Sequence, residues 1–305
     1  MSNVLLGTAV GDALGVPFET KLVNFEPLLA WDGKTFLGSQ YHGLLPGQYS
    51  DDTQMSLMVA ESLIENHGFN PDDLSARYVD WMTSGRWRGH GRTTKMALES
   101  LLSGTHWSES GVPGSLGNGT AMRAAPFGVY FRNDIKSLVS IVKIDSAITH
   151  ASDDAEAGAL AIALTAAFAV NDDLDDLLNR LVEYLPDSKV KSSIASLDSL
   201  VNSEYINAQQ ALRVLGTKAN VKETVPSVLY CFLKFTDYHE AVEASIRAGG
   251  DTDTTAAIVG ALIGARDGMK VIDRSFYSVE DFDQLVALDS QLFNRTAYNF
   301  FPREV

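Results

Sequence analysis

Apolar residues recur at three- and four-residue spacing along most of this chain, which is the period of helices that bury one face. The pattern predicts helices over residues 4–14, 51–66, 72–84, 94–102, 135–147, 155–170, 172–184, 188–202, 207–215, 225–247, 256–265 and 282–293. It contains no convincing set of alternating strands. Many helical segments without strands predict an all-α fold.

Two of the predicted helices have unusual compositions. In the first, Gly7, Gly11 and Gly15 recur at four-residue spacing and leave a strip without side chains, along which another backbone can approach closely. The helix over 155–170 is rich in alanine and apolar nearly all round. Because such a helix has no polar face for solvent, we expect it near the centre of the fold.

The composition allows a sizeable core and opposes binding to anionic polymers. The 305 residues are 45% hydrophobic, and no Gly/Ser-rich, Pro-rich or single-sign charged linker divides them. Lys and Arg number 24 against 39 Asp and Glu, and the net charge of −15 opposes attraction to nucleic acid or an anionic membrane. Small molecules or proteins are therefore the expected partners.

No segment has the pattern of a membrane anchor or a secretion signal. The longest apolar run, 158–170, is shorter than the ~20 residues that a spanning helix needs, and the N-terminus lacks the basic start of a signal peptide. The single cysteine, Cys231, lies in an apolar run, which favours burial over a catalytic thiol. We expect a cytoplasmic protein.

Two clusters of carboxylates and hydroxyls lie far apart in the sequence, each at the start of a predicted helix. Oxygen ligands of this kind suit Mg²⁺, but its near-octahedral shell needs more ligands than either cluster offers. We therefore predict that the clusters meet across one cleft of a single domain, residues 1–305. The candidate metal ligands are Ser50, Asp51, Asp52, Asp251, Asp253 and Thr254.

Two glycine-rich loops are candidates for holding an anion. The loop over 85–94 carries three arginines in an otherwise acidic chain, although an ordinary helix connection with solvated charges explains it equally well. The loop over 103–119 ends before a helix, where free N–H groups and the helix dipole favour a phosphate. It is not a Walker loop, because no Gly-Lys-Ser/Thr follows, and as a generic glycine loop it is a weak signal.

Glu19 and His150 are further candidates at helix boundaries. Pro17 ends the first helix and leaves Glu19 at a corner, where an ordinary surface glutamate is the plainer interpretation. His150 precedes the helix over 155–170 near its N-cap, where capping or packing explains it at least as well as ligand contact.

Together these residues resemble the ADP-ribosylglycohydrolase family. Each pattern alone is weak, but four of them occur in the family's order over residues 7–255. The patterns are Gly11-Asp12-Ala13-Leu14-Gly15 through Glu19, Ser50-Asp51-Asp52-Thr53, Gly117-Asn118-Gly119 with Met122-Arg123, and Gly249-Gly250-Asp251-Thr252-Asp253-Thr254. Ser50 replaces the threonine common at its position and keeps the hydroxyl ligand.

The resemblance implies a compact, orthogonal all-α bundle with a central dinuclear metal cleft. It implies two Mg²⁺ ions, or Mn²⁺, on the six ligands named above, and a hydrolase that removes ADP-ribose from an ADP-ribosylated protein. A monomer is expected. The residues that it implies in the ADP-ribose cleft are Gly89, Gly91, Ser115, Leu116, Gly117, Asn118, Gly119, Met122 and His150. Some members carry an aromatic residue where this chain has Leu116, and Trp107 is a substitute stacking surface.

Cleavage at the ribose anomeric carbon passes through an oxocarbenium-like centre and needs a positioned water. The resemblance makes Glu19 the first candidate for acid/base catalysis and Asp52 the second. The pyrophosphate is expected against N–H groups of residues 115–119. The positive charges expected to attract it are Arg88, Arg92 and Arg123.

ADP-ribosyl-arginine is the leading linkage, because the chain looks closer to the dinitrogenase-reductase-activating type. ADP-ribosyl-serine or a free small ADP-ribosyl compound remains open. The alternatives in kind are a family member that binds ADP-ribose without cleaving it or serves a structural role, and a magnesium-dependent hydrolase of phosphoesters or nucleotides, because acidic clusters serve that chemistry equally well.

Overall fold

The computed structural model describes residues 2–19 and 26–295, and within them the architecture is all-α, as predicted. The helices are α1 (Val4–Gly15), α2 (Glu26–Ala30), α3 (Asp51–Glu65), α4 (Pro71–Thr83), α5 (Arg92–Leu102), α6 (Ala125–Tyr130), α7 (Ile135–Thr149), α8 (Asp153–Val170), α9 (Leu177–Tyr184), α10 (Lys189–Ala195), α11 (Asp198–Val201), α12 (Ala208–Leu215), α13 (Val221–Lys234), α14 (Tyr238–Arg247), α15 (Thr252–Asp267) and α16 (Phe282–Asn294). Short 3₁₀ helices span Val16–Phe18, Met269–Val271 and Arg274–Ser278.

Two predicted helices are each divided in the structure. The range 225–247 was expected as one helix, but α13 and α14 are separate, because Asp237 caps a new helix by accepting a hydrogen bond from the Glu240 N–H at 2.9 Å. The range 188–202 likewise divides into α10 and α11. Two short helices, α2 and α6, carry too few residues to show a helical period and were not predicted.

One pair of very short parallel strands was also missed, β1 (Val112–Pro113) and β2 (His150–Ala151). Val112 lies opposite His150 in this pair. His150 is therefore a strand residue, and the N-cap of α8 is Ser152, whose hydroxyl accepts from the Ala155 N–H at 3.1 Å.

The glycine strip of α1 packs against the backbone of α15. A Cβ at Gly7 would lie 2.2 Å from the Gly260 carbonyl oxygen, and one at Gly11 would lie 2.1 Å from that of Ala256. The close approach predicted for this helix is confirmed. Because α15 begins next to the end of α1, this packing brings two distant parts of the sequence to the same place.

The alanine-rich helix α8 is buried along nearly its whole length, as predicted, and packs against α6, α7, α13 and α15.

Cys231 on α13 is also buried, and burial raises the pKa of its thiol to about 12, so the thiol stays protonated. Among residues 2–19 and 26–295, no helix combines the length and the apolar character needed to cross a membrane. The single domain over 1–305 stays a prediction, since residues 1, 20–25 and 296–305 lie outside the described residues.

Candidate active site

The two acidic clusters both lie at helix N-termini. Ser50 is the N-cap of α3, and Asp51 and Asp52 form its first turn. Asp251 is the N-cap of α15, and Asp253 lies in its first turn. The positive end of each helix dipole favours carboxylates at these positions. Both clusters line one cleft of ≈ 380 Å³, so the fold brings them together.

Asp12 joins α1 to the start of α3. Its buried carboxylate accepts hydrogen bonds from the Ser50 N–H at 3.0 Å and from the Thr53 hydroxyl at 2.6 Å. The Thr53 N–H also donates to it, at 3.1 Å. The turn that carries Asp51 and Asp52 is therefore held by a carboxylate that does not itself line the cleft.

Asn118 makes the corresponding connection to α15. Its side-chain amide donates to Asp251 Oδ2 at 2.5 Å and to the Thr224 hydroxyl on α13 at 2.9 Å. Asp251 is thereby fixed between the glycine loop and two helices. Asn118 also lines the cleft, where it was expected to contact substrate.

The acidic cleft fits a divalent cation. Burial raises the pKa of Asp51, Asp52 and Asp253 well above the usual range, and repulsion from nearby carboxylates raises it further. Asp52 Oδ1 is buried with no hydrogen-bond partner among the described residues, whereas Oδ2 accepts from the Ser50 hydroxyl at 3.1 Å. Buried carboxylates without partners are costly unless a cation binds them, and an all-oxygen donor set suits Mg²⁺ or Mn²⁺.

Most of the candidate residues line the cleft. They are Glu19, Asp51, Asp52, Gly89, Gly91, Leu116, Gly117, Asn118, Gly119, Met122, His150, Asp251, Asp253 and Thr254. Ser50 and Ser115 do not line it. Ser50 is fully buried, and the Ser115 hydroxyl hydrogen-bonds to Thr93 at 3.2 Å. The Gly117 N–H donates to the same Ser115 oxygen at 3.3 Å, so this N–H already has a partner within the chain.

The ring of His150 fills the space beneath the glycine loop. A Cβ at Gly117 or at Gly119 would lie 2.9 Å from the ring, so neither position admits a side chain unless the ring moves. Nδ1 of the ring lies 2.8 Å from the Thr149 hydroxyl. Burial, and then the charge of Arg123, lower the pKa of His150 to about 3, so the imidazole is neutral at ordinary pH.

Glu19 lies at the mouth of the cleft, directly after the 3₁₀ helix Val16–Phe18. Its carboxylate oxygen Oε2 lies 2.5 Å from Nε2 of His42. One carboxylate oxygen of Glu19, one of Asp253 and a ring nitrogen of His42 all lie within 4.8 Å of one another. The Glu19 side chain is 31% exposed, so it contacts both solvent and the buried acidic cluster.

The profile of the ADP-ribosylglycohydrolase family matches residues 2–300. The chain belongs to this family. It is 27% identical to ADP-ribosylhydrolase ARH3 of Xenopus tropicalis, over 88% of this chain and 87% of that protein. It is 25% identical to ADP-ribosylarginine hydrolase Tri1 of Pseudomonas putida (strain GB-1), over 96% of this chain and 77% of that protein.

A solved structure of an ADP-ribosylglycohydrolase-related protein complex is also similar, with a TM-score of 0.79 and 26% identity over 95% of both chains. The ADP-ribosylglycohydrolase fold and family predicted from the four sequence patterns are therefore confirmed. Membership of this family places the chain among hydrolases of ADP-ribosyl compounds. The family uses a dinuclear metal site.

Two of the three arginines expected to attract the anion have other partners. Arg123 is fully buried and donates to Asp145 at 3.0 Å. Arg88 forms an ion pair with Glu280 at 2.5 Å. Of the three, only Arg92 lines the cleft. The expectation for Arg88 and Arg123 is wrong because closeness to a glycine loop in sequence does not fix the direction of a side chain.

The stacking surface expected at Trp107 is not in the cleft either. Its indole N–H donates to Asp72 on α4 at 2.9 Å, and the residue does not line the pocket. Leu116 does line it and is 39% exposed, while its carbonyl oxygen accepts from the Val221 N–H at 2.9 Å. Where some family members carry an aromatic residue, this chain thus presents the apolar side chain of Leu116 to the cleft.

Several residues of the site were assigned no role from sequence, although Asp12 stands in one of the four patterns. Asp12 had a usable signal, because it is the only charged residue in the apolar helix α1 and a buried carboxylate there needs partners. His42 had none, since it lies in an irregular loop without periodicity. Ala219 and Asn220 line the cleft from the start of α13, where Asn220 is an ordinary helix cap by sequence.

Proposed function

We propose that this chain is a magnesium-dependent hydrolase that cleaves the glycosidic bond between ADP-ribose and a protein side chain and releases ADP-ribose. One observation carries the proposal: the acidic starts of α3 and α15, the glycine loop over 116–119 and Glu19 all face a single cleft. A cleft of ≈ 380 Å³ lies in the size range of small-molecule sites.

The proposed metal ligands account for the buried negative charge. The residues that would hold two Mg²⁺ ions, with Mn²⁺ as the alternative, are Ser50, Asp51, Asp52, Asp251, Asp253 and Thr254. When bound, such a pair of ions supplies a clamp for the ribose hydroxyls and the charge that acidifies a water. The chain itself holds these ligands in place through Asp12 on one side and Asn118 on the other.

Glu19 is the proposed acid/base group. Its carboxylate is close to Asp253 and partly exposed, so it can exchange a proton with a cleft water and with bulk solvent. Asp52 is the second choice, because it is buried and one of its oxygens accepts from Ser50. An oxocarbenium-like centre at the ribose needs an activated water on one face, and a carboxylate beside it can accept the proton of that water.

The glycine loop and its neighbours are proposed to hold ADP-ribose. Gly117, Asn118 and Gly119 line the cleft, and the neutral ring of His150 packs against the two glycines from beneath. Arg92 supplies a positive charge at the rim. Leu116 offers an apolar contact for the adenine or the ribose.

We propose arginine as the modified side chain, with serine as the second possibility. The guanidinium of a departing arginine suits the carboxylate of Glu19 at the mouth, since guanidinium and carboxylate groups form strong charge-assisted hydrogen bonds. A relative named as an ADP-ribosylarginine hydrolase supports this choice. One chain supplies every proposed ligand, so a monomer suffices for activity.

Release of free ADP-ribose from arginine-modified and serine-modified peptides, each with Mg²⁺, with Mn²⁺ and with EDTA, tests the proposal. We expect metal-dependent release from the arginine-modified peptide and little from the other. Production of phosphate or AMP instead of ADP-ribose would move the chain to phosphoester chemistry. Tight binding of ADP-ribose in calorimetry without release from either peptide would indicate a non-hydrolysing family member.

A further inference from the structure

A histidine outside all four sequence patterns contacts the mouth of the cleft. His42 lies in the loop between α2 and α3, and its side chain is only 9% exposed. Its Nε2 lies 2.5 Å from Glu19 Oε2, and its ring lies next to Gly89, where a built Cβ would be 3.5 Å from Nδ1. His42 thus contacts Glu19 and lies near Gly89, two residues that the family resemblance placed in the cleft.

The loop that carries His42 is fixed at both ends. Ser39 and Leu44 exchange two backbone hydrogen bonds of 2.9 Å, which close the turn around the histidine, and the Ser39 hydroxyl accepts from the His42 N–H at 3.3 Å. Farther along, the Gly47 carbonyl accepts from the Glu280 N–H at 2.9 Å. A loop with this many backbone bonds can hold the imidazole at a defined position.

We propose that His42 is a positioning residue for Glu19, an inference that rests on the proposed function. A carboxylate only accepts hydrogen bonds, so the 2.5 Å contact places a proton on His42 Nε2. That bond engages Oε2 and restrains the torsions of a long, partly exposed side chain that otherwise samples several rotamers. Glu19 is thereby held beside Asp253, within reach of a water in the cleft.

The kinetic test compares His42→Ala and His42→Gln with the wild-type enzyme in Mg²⁺. His42→Ala is expected to lower kcat about 10- to 100-fold with little change in KM, because a displaced catalytic group costs about this much. His42→Gln retains an N–H donor at similar reach and is expected to restore most of kcat. His106→Ala is the matched control, since that histidine is exposed, its ring hydrogen-bonds to Ser108, and it does not line the cleft.

A double mutant separates positioning from general structural damage. In a Glu19→Gln background, His42→Ala is expected to change kcat less than about threefold, because its effect passes through the carboxylate already removed. Equal losses of kcat in both backgrounds overturn the proposal. The proposal is also overturned if His42→Ala lowers both kcat and the unfolding midpoint and His42→Gln does not restore kcat.

Ring nitrogen NMR tests the contact without relying on turnover. In protein labelled with ¹⁵N-histidine and kept in Mg²⁺, the His42 ring, assigned by its absence from His42→Gln, is expected as the Nε2–H tautomer. Glu19→Ala is expected to shift this resonance or mix the tautomers, and an unchanged spectrum overturns the proposal. If the wild-type enzyme releases no ADP-ribose at all, the proposed function fails while this spectrum still decides whether the pair exists.

Discussion

The Thr252 hydroxyl donates a hydrogen bond to the Gly15 carbonyl oxygen at 2.8 Å, across a contact where a Cβ on Gly15 would lie 2.3 Å from the Thr252 carbonyl oxygen. This contact joins the last turn of α1 to the first turn of α15. Glu19 follows Gly15 by four residues, and Asp251 and Asp253 flank Thr252. The glycine strip therefore sets the distance between the proposed acid/base group and half of the proposed metal ligands.

Gly11→Ala is expected to destabilise the fold severely. The added methyl would lie 2.1 Å from the Ala256 carbonyl oxygen, and the three nearest atoms all belong to the backbone of Ala256 and Ala257. No flexible side chain can move aside, so relief requires separating α1 from α15. Overpacking typically costs about 1–3 kcal/mol in the free energy of unfolding, and we expect a value at or above the upper end of this range because the obstacle is backbone. Urea unfolding followed by circular dichroism measures the loss.

Gly91→Ala is the control for this glycine strip. Among the described residues, apart from its neighbours in the chain, no atom lies within 4 Å of a Cβ at Gly91. The residue lines the cleft and is the N-cap of α5, so the expected loss in the free energy of unfolding is at most about 1 kcal/mol. A Gly11→Ala protein as stable as Gly91→Ala would show that α1 and α15 do not pack as closely as described.

Glu19→Gln is expected to lower kcat about 100-fold or more while ADP-ribose binds with nearly unchanged affinity. The amide keeps the size of the side chain and the contact with His42, but it accepts no proton from a water. Single-turnover release of ADP-ribose gives the rate, and calorimetry gives the affinity. Turnover at the wild-type rate would remove Glu19 from the catalytic role and leave Asp52 as the candidate.

The helical period in the sequence predicted the fold class, because this period depends only on which face of each helix is buried. It did not reveal the break before Asp237, since apolar residues continue at helical spacing on both sides and only the capping carboxylate starts a new helix. The two acidic clusters were recognisable because each is contiguous in sequence. Their meeting depends on α1 and α15 packing side by side. The glycines of α1 suggested a close approach of another backbone, but not which helix makes it.

The remaining parts of the site depend on side-chain direction, which sequence spacing does not encode. Arg123 follows Gly119 by four residues, but its side chain enters the core, donates to Asp145 and also bonds the Gly119 carbonyl oxygen at 3.2 Å. It supports the loop from within and does not line the cleft. His42 reaches Glu19 from an irregular loop, and no periodic pattern relates the two residues.

Asp145→Ala is expected to destabilise the protein strongly, because it leaves the fully buried guanidinium of Arg123 without its counter-charge. Breaking a buried pair from one side costs about 3–5 kcal/mol. Asp187→Ala removes one partner of the pair with Lys191 at the exposed surface and is expected to cost less than about 1 kcal/mol. Equal unfolding midpoints in urea for the two variants would contradict the burial of Arg123.

The stability of the protein is expected to depend on pH through Asp289 on α16. This buried carboxylate accepts from the N–H groups of Leu5 and Leu6, at 2.9 and 3.0 Å, at the start of α1. Burial, only partly offset by these bonds, raises its pKa from 3.8 to about 7. Between these two values the folded protein holds a proton that the unfolded chain has released, so this contribution to stability is present at low pH and is lost as the pH rises towards 7.

Asp289→Asn isolates this contribution because asparagine is nearly isosteric and does not titrate. The free energy of unfolding of the wild type, relative to the variant, is expected to fall by at most about 1.4 kcal/mol for each pH unit between pH 4 and pH 7, and to level off above that range. Urea titrations at pH 4.5, 6 and 8 measure the difference. Other titrating groups cancel in this comparison, so a difference that grows with pH would mean that the N–H groups of α1 hold Asp289 ionised in the folded state.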